Sequence, residues 1–135
     1  NQIINRFPES KYARDSQQKL ILVKENIAAK HMDIALFYLN QKKYLAALNR
    51  YNIVINEYSQ SKFTPEALYR EVEIYYTLGM MDDAKKTSAV IGYNYPKSKW
   101  YKYSYRLLKK TDNKNNKKSL LNKISNFLTN DDKKE

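Results

Sequence analysis

The chain has 135 residues, of which 25 are Lys or Arg and 14 are Asp or Glu, giving a formal net charge of +11. Two Gly and three Pro are too few for the many turns of a sandwich or barrel, and Gly79 and Gly92 alone cannot build a Gly-rich phosphate loop. With no Cys, disulfides, thiolate zinc sites and cysteine nucleophiles are excluded together; no apolar run approaches the ~20 residues that span a bilayer.

In chain order, Asn1-Gln2-Ile3-Ile4 reads as the end of a helix rather than as a secretory leader, the expectation for a piece of a longer protein. Residues 10–40 carry apolar side chains at Leu20, Val23, Ile27, Ile34 and Tyr38, flanked by Ile21, Leu22 and Leu39, at helical spacings of three and four. No Gly or Pro interrupts the run; a single helix over it is ~46 Å long, a length at which a break or a bend is an open alternative. A second helix fits residues 43–58, with Leu45, Leu48, Tyr51, Val54 and Ile55 on one face. A third fits residues 64–78, with Thr64 as N-cap, Pro65 at the first position and Gly79 as the stop. A fourth covers residues 81–93, with Asp82 and Asp83 in the first turn, where the helix dipole favours them. A fifth covers residues 98–110.

The tail is expected to divide. Residues 111–116, Thr-Asp-Asn-Lys-Asn-Asn, read as a flexible linker. Ser119 then caps a short amphipathic helix with Leu120, Leu121, Ile124, Phe127 and Leu128 on one stripe and Lys117, Lys118 and Lys123 beside it. Between Lys97 and Lys118 nine basic residues meet one acid, a local excess of +8. Two readings stand side by side: a helix on an anionic membrane or in a partner groove, or a cap on the last repeat. The domain division is therefore 1–110, a repeat array, and 111–135, a basic linker with its amphipathic helix.

An internal repeat sets the fold. Phe7-Pro8-Glu9-Ser10-Lys11-Tyr12, Tyr58-Ser59-Gln60-Ser61-Lys62-Phe63 and Tyr95-Pro96-Lys97-Ser98-Lys99-Trp100 share one pattern, and each lies between two predicted helices. The second and third are 37 residues apart, and the same offset maps Tyr38 onto Tyr75 and Ala47 onto Ala84. Such a period marks stacked helical hairpins, because one hairpin cannot bury its apolar stripe alone. The Ser of each segment is expected to cap the following helix, and Ala47 and Ala84 to let paired helices approach closely.

The pattern resembles the tetratricopeptide repeat, on His31-Met32-Asp33-Ile34-Ala35-Leu36-Phe37-Tyr38, then Ala47 and Tyr51, and in the next repeat Leu68, Val72, Tyr75, Ala84 and Pro96. Glu71 stands where that family has Leu, and Ser88 where it has an aromatic. The implied fold is all-α, a right-handed superhelix of stacked hairpins. Ala28-Ala29-Lys30-His31, Tyr44-Leu45-Ala46-Ala47-Leu48-Asn49-Arg50 and Tyr95-Pro96-Lys97-Ser98-Lys99-Trp100-Tyr101 further resemble the C-terminal repeats of the BamD family, over roughly residues 5–108. The resemblance implies a lipoprotein scaffold of the outer-membrane β-barrel assembly machine. Its C-terminal repeats dock the periplasmic domains of the barrel subunit BamA. Unfolded outer-membrane proteins are received by N-terminal repeats absent from this chain, and the anchor is an N-terminal lipid also absent. No cofactor, metal or nucleic acid is implied.

Asn49 and Arg50 are the leading partner-binding candidates. They match the family's Asn-Arg pair, whose Arg is implicated in contacting BamA, and a planar guanidinium can grip a carboxylate bidentately. The bland alternative is a solvated helix-surface pair. His31, the one histidine, reads as a packing residue or a surface hydrogen-bond partner, because no second ligand accompanies it. Glu71 and Glu73 face different sides of a helix, and Asp82 and Asp83 serve a helix start, so no acid–base pair is expected and the chain reads as a non-enzyme. In the stretch 97–106, Lys and Arg interleave with Trp100, Tyr101, Tyr103 and Tyr105. That leaves a basic nucleic-acid-binding module as the alternative function, beside the plainer reading of Trp100, Tyr103 and Leu107 as the inner face of the last helix.

Overall fold

The computed structural model describes residues 11–131. Five helices follow one another, and among the described residues there is no strand: α1 (Lys11–Asn40), α2 (Tyr44–Glu57), α3 (Thr64–Thr77), α4 (Met81–Asn94) and α5 (Lys99–Asp131). α1 packs on α2 and α3 on α4; the two hairpins join through α2 and α3, and α5 lies against α3 and α4. This is a tetratricopeptide-like stack of helical hairpins.

The 37-residue period is visible in the backbone itself. α1 ends with Lys42 N–H donating to Leu39 O (2.9 Å) and Lys43 N–H to Tyr38 O (2.9 Å); α3 ends with Gly79 N–H to Tyr76 O (3.1 Å) and Met80 N–H to Tyr75 O (2.8 Å). Both are Schellman turns, which need one left-handed residue. Gly79 supplies it at φ 77°, but in the first repeat Lys42 adopts φ 60°. The turns opening the next layers repeat too, with Ser61 N–H to Tyr58 O (2.8 Å) and Ser98 N–H to Tyr95 O (3.0 Å).

Small residues set the layer spacing. Ala47 and Ala84 are both fully buried, as are Ala28, Ala35 and Ala67. Around Ala47 the core gathers Met32, Leu48, Tyr51, Val54 and Ile74. Around Ala84 it gathers Leu68, Val72 and Ile91, with Tyr101 and Leu107 of α5 against them. Gly92 belongs to this contact: a Cβ there would sit 2.6 Å from Tyr101 Cε2, so only glycine lets α5 approach α4 here. Ser104 Oγ donates to Tyr101 O (2.8 Å) and lies 2.9 Å from Ser88 Oγ. A hydroxyl has one proton, so Ser88 is the donor of this buried α4–α5 bond.

Several expectations are corrected. The apolar stripe expected along α1 does not all enter the core: Leu20, Ile21, Leu22, Val23 and Ile27 are exposed, and the buried residues are Ala13 near its start and the line Ala28, Met32 and Ala35 in its second half. Only the second half of α1 lies opposite α2, whose length matches that half. Leu45 is likewise exposed at the first turn of α2. Thr64 is not a cap but the first residue of α3, with Oγ1 donating back to Tyr58 O (3.1 Å). Ser61 acts one step earlier: its Oγ accepts Phe63 N–H (3.1 Å) and donates to Glu25 Oε2 of α1 (3.1 Å). Ser98 does cap α5, accepting Trp100 N–H (3.2 Å); Ser10, the third member of the set, lies outside the described residues. The linker at 111–116 is helical, part of one 33-residue helix. No Gly or Pro occurs between residues 99 and 131 to stop it, and Asn and Asp are tolerated in a helix that good formers continue on both sides. Ser119 therefore lies mid-helix and caps nothing.

Candidate partner-binding surface

Arg50 emerges from α2 beside α1. Its Nη1 donates to His31 Nδ1 at 3.3 Å, and the His31 ring is in turn tilted against Tyr58, centroids 6.0 Å apart. Arg50 is half-buried, and this hydrogen bond ties its side chain on α2 to α1 of the first hairpin. One of its five N–H donors is used on His31; among the described residues no carboxylate pairs with it. Asn49, one position earlier, is exposed. The two expected site residues are thus on the surface together, and His31 takes the hydrogen-bonding role read for it.

A second arginine, which sequence reasoning passed over, gives the contrast. Arg70 of α3 donates to Glu73 Oε1 (2.7 Å), approaches Glu66 Oε1 (3.7 Å), and lies 5.8 Å and 5.7 Å over the rings of Tyr69 and Trp100. Glu66 and Glu73 stand four before and three after Arg70, the spacing at which helix side chains meet, and that was its signal in the sequence. Trp100, Tyr69 and Tyr103 form a triangle of ring contacts, centroids 5.4–5.9 Å apart. Arg70 thus clamps α3 to α5 with its charge already answered. It also edges a recess of about 170 Å³ shared with Asp33 and Leu36 of α1, Tyr51 of α2 and Phe63. Burial pushes the Tyr51 hydroxyl up to about 12, so it stays protonated there.

The basic-aromatic stretch at 97–106 is only partly free. Trp100, Tyr101 and Leu107 are half-buried against the hairpin; Tyr103 and Tyr105 are exposed, though Tyr103 engages Tyr69 and Trp100. The acidic pairs separate as expected: Glu71 is buried while Glu73 binds Arg70, and Asp82 and Asp83 start α4. Among the described residues no group of three or more His, Asp and Glu could hold a metal, and no helix is long and apolar enough to cross a membrane. Leu120, Leu121, Ile124, Phe127 and Leu128 are all exposed. The stripe therefore covers no open end of the stack in this structure, and the cap reading is corrected.

The family model described as YfiO, outer membrane lipoprotein, matches residues 1–91. The chain is 50% identical over 111 residues to the outer membrane protein assembly factor BamD of Rickettsia prowazekii, covering 82% of this chain and 44% of that protein. It is 42% identical over 106 residues to the protein of the same name from Caulobacter vibrioides, covering 78% of this chain and 35% of that protein. A BamD of Neisseria meningitidis is 29% identical over 105 residues. The chain thus spans less than half the length of the curated relatives it matches. With its stacked hairpins and this match over most of its length, the chain belongs to the YfiO outer membrane lipoprotein family, whose members here carry the name BamD.

Proposed function

We propose that this chain is a scaffold for outer-membrane protein assembly, working at the periplasmic face of the outer membrane in a longer, lipid-anchored protein. Its surface at Asn49 and Arg50 docks the periplasmic domains of BamA. The names of its relatives, assembly factors of outer-membrane proteins, support the general role. The observation that carries the site is the unanswered charge of Arg50, held in place by His31 with no carboxylate among the described residues. A guanidinium tied to a neighbouring helix has already lost much of its rotamer freedom, so less ordering entropy opposes a bidentate bond to a partner acid.

The test is calorimetric titration of the BamA periplasmic domains with the wild-type chain and Arg50→Glu. Reversing the charge opposite a partner carboxylate is expected to weaken binding by about 100-fold or more, on the scale of interfacial charge pairs, while the melting temperature stays within a degree or two of wild type. Equal affinity for the two proteins refutes the site. The basic-aromatic reading of a nucleic-acid binder predicts a steep loss of affinity with salt instead. It is disfavoured because Trp100 and Tyr103 spend their faces on Tyr69 and each other.

A further inference from the structure

The amphipathic face of α5 changes sides partway along. In its first part the buried or half-buried positions are Trp100, Tyr101, Ser104, Leu107, Leu108 and Thr111, one stripe at helical spacing packed on α3 and α4. Continued at the same spacing, that stripe becomes polar: Asn115, Ser119, Asn122, Asn126, Thr129. The opposite stripe does the reverse. It begins with the exposed Lys99, Lys102, Arg106, Lys110 and Lys117, then turns apolar at Leu120, Ile124, Phe127 and Leu128, with Leu121 alongside. These positions follow one another mostly at steps of three, four or seven, one or two helical turns, so they share one side of an unbroken helix. The apolar end thus points away from the side on which the hairpins sit, and every residue from 112 to 130 is exposed.

We propose that this face of α5 is a membrane-surface element that lies on an anionic phospholipid bilayer. The proposal concerns a different face of the molecule from Arg50 and stands independently of BamA docking. Charge complementarity selects the occupant. Between residues 99 and 130 there are nine basic side chains and one acidic one, Asp112; from 113 to 130 there are Lys114, Lys117, Lys118 and Lys123 and no acid. The basic and apolar sections point the same way, so one flat surface must meet both, and a bilayer with anionic headgroups over hydrocarbon does so. The apolar section runs only about 12 Å along the axis, roughly eight rises of about 1.5 Å from Leu120 to Leu128, so it lies in the headgroup boundary and does not span. Lys114 and Lys123 flank it, where their long stems let the ammonium groups reach phosphates. A second copy of this chain is a poor occupant, since it would bring lysine rows together on a protein already at +11. Nucleic acid would answer the lysines but leave the leucines in water.

The experiment is co-sedimentation of the 135-residue chain with vesicles of phosphatidylcholine alone or of phosphatidylcholine and phosphatidylglycerol in equal parts. Wild type is expected to bind the anionic vesicles. The double variant Ile124→Asn/Phe127→Asn is expected to bind them at least about tenfold more weakly, given the apolar area withdrawn from the interface. Both side chains are exposed, so the stack is expected to stay folded, with unchanged circular dichroism. A Phe127→Trp variant adds a second readout: its emission shifts to the blue with anionic vesicles and stays unshifted with neutral ones. The proposal is overturned by absence of vesicle binding, by equal binding of wild type and the double variant, or by equal binding to neutral and anionic vesicles. Self-association in solution that the double variant abolishes, without vesicle binding, assigns the face to a second copy and also overturns it.

Discussion

Glu71 offers the sharpest quantitative test of the packing. It sits on α3 in a position of the repeat that suits leucine, only 5% exposed, and its Oε1 has no hydrogen-bond partner. Desolvation alone pushes its carboxyl from the ordinary 4.5 up to about 7. The folded chain therefore holds this proton to higher pH than the unfolded chain does. Stability from this group is fully present below about 4.5, falls as pH rises through the window from about 4.5 to 7, and is flat above it. At 1.36 kcal/mol per pH unit the loss is about 3 kcal/mol by pH 8, or roughly 10 °C in melting temperature for a chain of this size. Glu71→Gln keeps the shape and removes the titration. Thermal melts of both proteins across this pH range supply the difference, in which every contribution common to both cancels. Glu71→Gln is expected to match wild type near pH 4.5 and to exceed it by about 3 kcal/mol at pH 8. A difference that does not change with pH refutes the argument, and with it the claim that this carboxyl is dry.

Other predictions concern the repeat geometry. Lys42→Gly relieves a left-handed lysine in the first Schellman turn and is expected to stabilise by about 0.5–1 kcal/mol. The matching change Gly79→Lys destabilises by a similar amount through the backbone alone, since a Cβ there meets nothing within 4 Å; chemical denaturation of both checks the symmetry. Gly92→Ala gains about 1 kcal/mol of helix propensity but drives a Cβ into Tyr101. A net fall in melting temperature, relieved by adding Tyr101→Leu, is expected, and a rise shows that the ring moves aside freely. Ala47→Trp overpacks a fully buried site between α1 and α2 and is expected to cost about 3 kcal/mol or more, read as lost cooperativity in the melt.

What could be read from the sequence was whatever repeats or recurs locally. The offset of 37 residues placed Ala47 and Ala84 at equivalent contacts, and both are fully buried; the two Schellman turns, 37 residues apart, follow the same register. Helices bounded by Gly79 and by the aromatic-x-x-Ser segments fell within a residue or two of their expected ends. The Arg50–His31 bond was not legible, because it joins residues 19 apart on different helices, and a repeat fixes which positions meet without fixing which side-chain atoms do. The apolar stripe of α1 misled for a related reason: periodicity marks a face able to be buried, while burial needs a neighbour, and α2 reaches only the half of α1 that carries Ala28, Met32 and Ala35.

The tail shows the same distinction from the other side. Asn and Asp at 111–116 weaken a helix locally, and alone they read as a break between two units. Yet a break was never needed to account for the composition. In a single helix the same residues form the crossover where the apolar stripe leaves the face that meets α3 and α4 and reappears on the opposite one. Polar positions are required on both faces at such a crossover, and Asp112, Asn113, Asn115 and Asn116 provide them. Read as a linker, the run would let the last residues fold back onto the stack. Read as helix, it holds Leu120 and Phe127 at a fixed rotation from Ser104 and Leu108, away from the hairpins, so the chain's own geometry directs that stripe outward.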